Sequence, residues 1–276
     1  MQYYQYCSVL TIAGSDSGGG AGIQADLNTF AALGCYGTSA ITAITAQNTL
    51  GVTDIHIIPP AIIQSQIRAV MDDIRPLVIK IGMLPNRETV QIVADTLKGY
   101  KPIPVILDPV ISSSSGKQLA NNEALLAMQK LLFPMVTLLT PNLNEAAQIT
   151  GKQISNVDDM QKTAEALLDL GSPAVLVKGG HLDGAELYNV YADRHGGRKI
   201  LVYPFIVTSN THGTGCTLAS AIAAYMARGQ SLPEAVASAG DYVNRALKEG
   251  RNVKIGEGFG PLNHFFKPRK LVPIPL

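Results

Sequence analysis

Residues 212–218 read HGTGCTL, a glycine-punctuated turn that places a cysteine where a helical run, LASAIAAYMARG, begins. Glycines ahead of a helix leave its first N–H groups converging on one point, the geometry of an anion hole. A phosphate fits there. A thiol at the same helix start is expected to ionise below its usual value of about 8.5, because the helix dipole favours the thiolate. The competing reading of Cys216 is a small buried hydrophobe, the commoner role of a free cysteine.

A second glycine-rich stretch, GSDSGGGAG, covers residues 14–22. It lacks the Lys-Ser/Thr pair of a phosphate-binding P-loop. The dinucleotide fingerprint fails as well: Gly18-x-Gly20 puts Ile23 where the third glycine belongs, and the following strand ends in Gln47-Asn48, not in an acidic residue. A nicotinamide oxidoreductase is therefore disfavoured. A tight turn requiring positive φ would account for one or two of the glycines. Four in five residues point instead to close approach of the backbone to a ligand. His212 and His181 are expected to be positional hydrogen-bonders, and five scattered histidines without metal-ligand spacing argue against zinc.

The elements that must carry these loops alternate regularly. Short β-branched runs are followed by longer segments of helical spacing, as in a mostly parallel sheet covered by helices. SVLTIAG (8–14) reads as a strand entering the glycine loop. IQADLNTFAAL (23–33) reads as a helix with Ile23, Leu27, Phe30 and Ala31 on one face, ended by Gly34. TSAITAITAQN, VTDIHII and LVIKIGM are further strands, with a helix after Pro59-Pro60. VIL before Asp108, VTLLTP (136–141) and AVLVKGG (174–180) repeat the pattern, each apolar run ending in polar or glycine residues. Ligands of open parallel sheets gather beyond such strand ends, so SDSGGGAG, DPV, TPNLNEA and KGGH are expected to face one crevice. ELYNVYAD and KILVYPF resemble an antiparallel hairpin. Helices 214–228 and 232–249 follow, separated by Gly229 and Ser231.

Composition narrows the class. The 276 residues suit one α/β domain over 1–276, and 46% hydrophobic against 16% charged residues describes a packed chain. A net charge of +1 without a basic cluster argues against nucleic acid as a partner. Three cysteines without a CxxC pair suggest neither a disulfide framework nor a cysteine zinc site, and fit a reducing cytoplasm. No run reaches the ~18 apolar residues of a membrane span, and MQYYQYCSVLTIAG lacks the features of a signal peptide.

Taken together, LTIAGSDSGGGAGIQADL, TAQNT, KIGML, ILDPV, TPNLNEA, VKGGH and NTHGTGCTL closely resemble the hydroxymethylpyrimidine and phosphomethylpyrimidine kinases of thiamin biosynthesis. The likeness runs from about residue 8 to residue 264. It implies a ribokinase-like three-layer α/β/α sandwich with a central, mostly parallel sheet, in an ATP- and Mg²⁺-dependent kinase. Most ribokinase-like enzymes carry an aspartate base where this chain has Cys216, and the pyrimidine-kinase branch carries cysteine. The resemblance makes Cys216 the base, a role worth about 10²–10⁴-fold when well placed. The amides of Gly213, Thr214, Gly215 and Cys216 become donors to the transferred phosphoryl group. It implies that Asp108 and Glu145 surround the metal, and that Asp108, Asn142 and Lys178 serve the ATP phosphates. Gln47 would pair with the aminopyrimidine edge, with Gly14, Ala21, Asp26, Met83 and Val110 completing that pocket. A homodimer is also implied. Two rivals remain: a pyridoxine or pyridoxal kinase, and a non-catalytic pyrimidine or nucleotide sensor.

Overall fold

The computed structural model describes residues 3–113, 116–180, 185–271 and 273–275. Its strands are β1 (Tyr4–Tyr6), β2 (Ser8–Asp16), β3 (Tyr36–Asn48), β4 (Gly51–Ile57), β5 (Val78–Ile81), β6 (Val105–Leu107), β7 (Leu138–Leu139), β8 (Ala174–Lys178), β9 (Glu186–Asp193), β10 (Arg198–Pro204) and β11 (Pro273–Pro275). Its helices are α1 (Gly22–Ala32), α2 (Pro60–Asp73), α3 (Arg87–Lys98), α4 (Asn122–Leu131), α5 (Leu143–Thr150), α6 (Val157–Asp169), α7 (Thr214–Ala227) and α8 (Leu232–Gly250).

Successive strand residues point to opposite faces, and here both faces are apolar. Val9, Val78, Ile106, Leu138 and Leu176 pack in one layer with residues of α1, α7 and α8. Leu10, Ile12, Ile79, Ile81, Leu107 and Val175 pack in the other, against α2 to α6. Each fully buried side chain of this kind is worth about 1.5–3 kcal/mol. Neither face can be left to water, which is why the sheet sits between two helical layers.

The nine strands of the large sheet lie in the order β10-β9-β8-β7-β6-β5-β2-β3-β4. From β8 through β3 all pairs are parallel. Both margins are antiparallel: β4 folds back on β3, and β9 runs against β8 and β10. The expected hairpin of ELYNVYAD and KILVYPF is the β9–β10 pair. A separate two-stranded ribbon joins β1 to β11. The parallel strands present their carboxyl ends on one edge, and the central five deliver the functional loops.

Helices α3 to α6 each begin at an asparagine whose side chain accepts the amide hydrogen three residues on: Asn86 from Thr89, Asn121 from Ala124, Asn142 from Glu145 and Asn156 from Asp159. Such caps occupy otherwise unpaired amides. Ser231 and Glu234 form a capping box on α8, and Gly229 adopts φ +92° between α7 and α8.

Candidate active site

The carboxyl ends of β2, β5, β6, β7 and β8 and the start of α7 open on one cavity of about 740 Å³. Gly14, Ala21, Gln47, Met83, Asp108, Val110, Asn142, Glu145, Lys178, Gly213, Thr214, Gly215 and Cys216 all line it. Asp26, expected in the substrate pocket, is the exception and does not line this cavity. It is fully buried on α1, where its carboxylate accepts from Lys80 Nζ at 2.8 Å, Thr11 Oγ1 at 2.6 Å and Ser220 Oγ at 2.6 Å.

On the phosphate side, Gly213 caps α7 with φ +82°, a conformation that favours glycine. The amides of Gly215 and Cys216 have no acceptor within the described residues, as expected of a first helical turn. A Cβ on Gly215 would lie 3.2 Å from Lys178 Nζ and 3.3 Å from Asp108 Oδ2, so this glycine brings the helix start onto that ion pair. Lys178 Nζ donates to Asp108 Oδ1 at 2.6 Å, and Thr140 Oγ1 donates to the same oxygen at 3.2 Å. Burial opposes the charge on Lys178, but Asp108 and Glu145 outweigh it and hold the ammonium above its ordinary value. Lys178 therefore stays cationic at neutral pH.

Asn142 and Glu145 satisfy each other's backbone: Asn142 Oδ1 accepts from the Glu145 amide at 2.9 Å, and Glu145 Oε2 accepts from the Asn142 amide at 2.8 Å. Burial pushes the Glu145 carboxyl up to about 7; Lys178 pulls it down, and the nearby Asp108 charge adds to the rise. A divalent cation between Glu145 and Asp108 would relieve both burial and repulsion. Hard carboxylate oxygens in small number suit Mg²⁺, which keeps several waters or phosphate ligands. No cluster of three or more His, Cys, Asp or Glu residues poised for a metal occurs among the described residues.

Cys216 is half-buried, and its environment reverses the expected ionisation. Burial lifts the thiol from 9.0 to about 11; Lys80 and the Gly22 amide pull it down, while Asp26 and Asp108 push it further up. The dipole of α7 is real, but loss of water and two carboxylates oppose it. At neutral pH the ligand-free protein holds this sulfur as a thiol.

The glycine loop lines the cavity with Gly14, Ala21 and Gly22 and is also braced from within. Its amides close on the protein's own carboxylate: Asp16 accepts from Gly18 at 2.8 Å, Gly20 at 3.1 Å and Ala21 at 2.8 Å. Burial alone would raise the Asp16 carboxyl, but donation from His212 and from these amides outweighs it and holds the group below its usual range. His212 Nε2 lies 2.9 Å from Asp16 Oδ2. A Cβ on Gly20 would overlap the His212 ring, which is the close approach this glycine serves. The Gln47 amide lies with Nε2 3.2 Å from His212 Nε2 and with Oε1 accepting from Thr45 Oγ1 at 3.0 Å. Asp16 and Lys80 line the cavity and were not revealed by spacing, whereas His212 is the positional hydrogen-bonder expected of it. The Asp-x-Gly of an Asx turn was the available signal for Asp16. His181 lies outside the described residues.

The sheet order and the likeness to solved kinases at 46% and 35% identity place this crevice in a small-molecule kinase of ribokinase-like α/β fold. The chain belongs to the phosphomethylpyrimidine kinase family, whose sequence pattern matches residues 16–263. The hydroxymethylpyrimidine/phosphomethylpyrimidine kinase of Rhizobium meliloti is 47% identical over 261 residues, covering 94% of this chain and 97% of that protein. The thiamine biosynthesis bifunctional protein ThiED of Geobacter sulfurreducens is 46% identical over 257 residues, 93% of this chain, which spans about half (52%) of its length. The crystal structure of phosphomethylpyrimidine kinase from Clostridium difficile is similar with TM-score 0.76 and 46% identity, over 87% of this chain and 99% of that one. The pyridoxal kinase of Staphylococcus aureus in complex with AMP-PCP and pyridoxal is similar with TM-score 0.85 and 35% identity, over 95% and 94%.

Proposed function

We propose that this chain transfers the γ-phosphoryl group of ATP to the hydroxymethyl oxygen of 4-amino-5-hydroxymethyl-2-methylpyrimidine. It then converts the monophosphate to the diphosphate, within thiamin biosynthesis. One observation carries the reading: Gln47, Cys216 and the Lys178–Asp108 pair line the same cavity. A ring held at Gln47 between Met83 and Val110 can direct its alcohol toward the start of α7.

Phosphoryl transfer has a loose transition state, so positioning and charge stabilisation matter most. The amides of Gly215 and Cys216 and the Lys178 ammonium stabilise the moving group; removing one such donor costs about 2.7–4 kcal/mol in comparable sites. Asp108 and Glu145 would hold Mg²⁺, which supplies charge neutralisation to the ATP phosphates. Cys216 Sγ takes the proton of the alcohol, and for that its own proton must first pass to water in the cavity, which this residue lines. Lys80 and the Gly22 amide favour this loss, and Asp108 and Asp26 oppose it. A cation held on Asp108 would offset its charge and remove that part of the opposition.

The test is Cys216→Ala. Pyrimidine binding by calorimetry is expected to persist while phosphorylation falls at least about 100-fold; unchanged turnover would refute the role of the base. Competition between pyridoxal and the pyrimidine in an ADP-release assay decides the rival kinase reading, which rests on the likeness to pyridoxal kinase. Identity of 46% to a phosphomethylpyrimidine kinase against 35% to that enzyme favours the pyrimidine. A non-catalytic sensor would bind without turnover, and the convergence of base, donors and carboxylates on one cavity speaks against it. We also propose a cytoplasmic homodimer: the described cysteines are all unpaired, no helix among the described residues is long and apolar enough to cross a membrane, and the dimer rests on family likeness. Light scattering at twice 29.3 kDa checks the dimer.

A further inference from the structure

We propose that His212, held by Asp16, decides which way round the Gln47 amide faces and so determines which heterocycle edge the pocket accepts. The inference rests on the pyrimidine reading above and adds a positioning residue to it.

The reasoning is a count of hydrogens. Asp16 accepts three backbone amides and, as a carboxylate, has no hydrogen to give. The hydrogen between it and His212, 2.9 Å apart, therefore belongs to Nε2. This holds for the neutral ring and for the imidazolium alike. Nε2 then has no lone pair to offer its second neighbour, the end of the Gln47 amide 3.2 Å away. The nitrogen that lies at that end sets N–H against N–H, so the amide belongs turned end for end, with Nε2 and Oε1 exchanged. An oxygen there accepts a share of the His212 hydrogen.

The far end of the amide leads to the same answer. Thr45 Oγ1 lies 3.0 Å from it and 2.9 Å from Ser15 O. With the amide oxygen toward Thr45, one hydroxyl hydrogen must serve two acceptors. With the nitrogen there, Gln47 donates to Thr45 Oγ1, and Thr45 donates to Ser15 O. Every donor then has an acceptor, and the chain runs from Asp16 through His212, Gln47 and Thr45 to the β2 backbone. The ring edge packs directly on Gly20, and its contact with Asp16 holds it there. Ser17 Oγ, which accepts from the Gln47 amide at 2.8 Å and donates to its carbonyl at 2.6 Å, fixes the backbone beneath.

The polarity of the free edge follows. Gln47 shows the cavity an acceptor on the His212 side and a donor on the Thr45 side. A 4-aminopyrimidine matches it, the amino group toward His212 and the adjacent ring nitrogen toward Thr45. The 4-oxo counterpart presents a carbonyl and a ring N–H in the opposite order and opposes both groups.

The experiment compares kcat/KM for 4-amino-5-hydroxymethyl-2-methylpyrimidine and its 4-oxo counterpart in the wild-type chain, in His212→Leu and in His212→Gln. The wild type is expected to prefer the amino compound by at least about 100-fold. In His212→Leu the amide is free to turn, and the preference is expected to fall about tenfold or more. His212→Gln, which restores an N–H near the position of Nε2, is expected to recover most of it. A merely structural role for His212 would lower both substrates together and keep their ratio. An unchanged ratio in folded His212→Leu overturns the proposal. If the wild type phosphorylates neither compound, the kinase reading fails, and the ratio of the two Kd values by calorimetry still decides the role of His212.

Discussion

Two lysine–aspartate pairs stand at the strand ends near Cys216, and their chemistry is the same while their surroundings differ. Lys80–Asp26 is buried, with both side chains at 0% exposure although Lys80 forms part of the cavity wall, and the Asp26 carboxylate is saturated by Thr11 and Ser220. Lys178–Asp108 is 12% and 3% exposed and borders the cavity. The buried pair joins α1 to β5 and, through Ser220, to α7. The open pair can exchange its partners for phosphate or metal. Access to a polar ligand, more than residue type, separates a brace from a binding group, because a buried charge that loses its partner has nothing to replace it.

The largest effect is expected from breaking the buried pair. Asp26→Ala leaves the Lys80 ammonium unpaired in the interior and should cost about 3–5 kcal/mol in urea unfolding. Replacing both partners, as Lys80→Met with Asp26→Leu, should recover most of that loss. If the single and double variants lose equally, the two residues are not acting as a pair.

A second measurement asks how the two pairs together set the thiol. Alkylation needs the thiolate, so a pKa raised from 9.0 to about 11 moves the reactivity curve of Cys216 toward higher pH. Its rate should therefore still be rising at pH 10, about two units beyond the behaviour of an exposed thiol. Asp26→Asn removes one of the opposing charges and should shift the curve back toward neutral pH, provided the fold persists. A curve levelling near pH 8 in the wild type would contradict the burial of this sulfur.

The smallest stability effect is expected at the open pair. Lys178→Gln should cost only about 1–2 kcal/mol, since Asp108 retains Thr140 and gains water from the cavity. Phosphoryl transfer should nonetheless fall about 100-fold or more, as for loss of a charge-stabilising donor. Activity loss without matching destabilisation is the signature that distinguishes this pair from the buried one. Equal losses of stability at both pairs would erase the comparison.

Legibility in the sequence follows the range of the forces involved. The β2 strand, the α1 helix closed by Gly34, the β9–β10 hairpin and the α7–α8 pair were readable because periodicity, glycine and proline act within a few residues. Helices α3 to α6 were not assigned from the sequence, although each carries an asparagine cap; a single polar cap before a mixed-polarity segment is a weak signal by itself. The expected site residues were readable as motifs at strand ends. Their roles were less so: Asp26 sits amid a matching motif and still turns inward, and the loop glycines close on Asp16.

The amino-acid order by itself determined the alternating elements, the strand-end loops and the likeness that points to phosphoryl transfer to a pyrimidine alcohol. Tertiary structure alone decided the protonation of Cys216, the burial of Asp26 and the neighbours of the Gln47 amide. The groups responsible are far apart in the chain: Lys80 is 54 residues from Asp26, Ser220 is 194 from Asp26, and His212 is 196 from Asp16. Electrostatic and hydrogen-bonding energies depend on distance through space and on exclusion of water, and neither is set until the sheet and its two helical layers have closed.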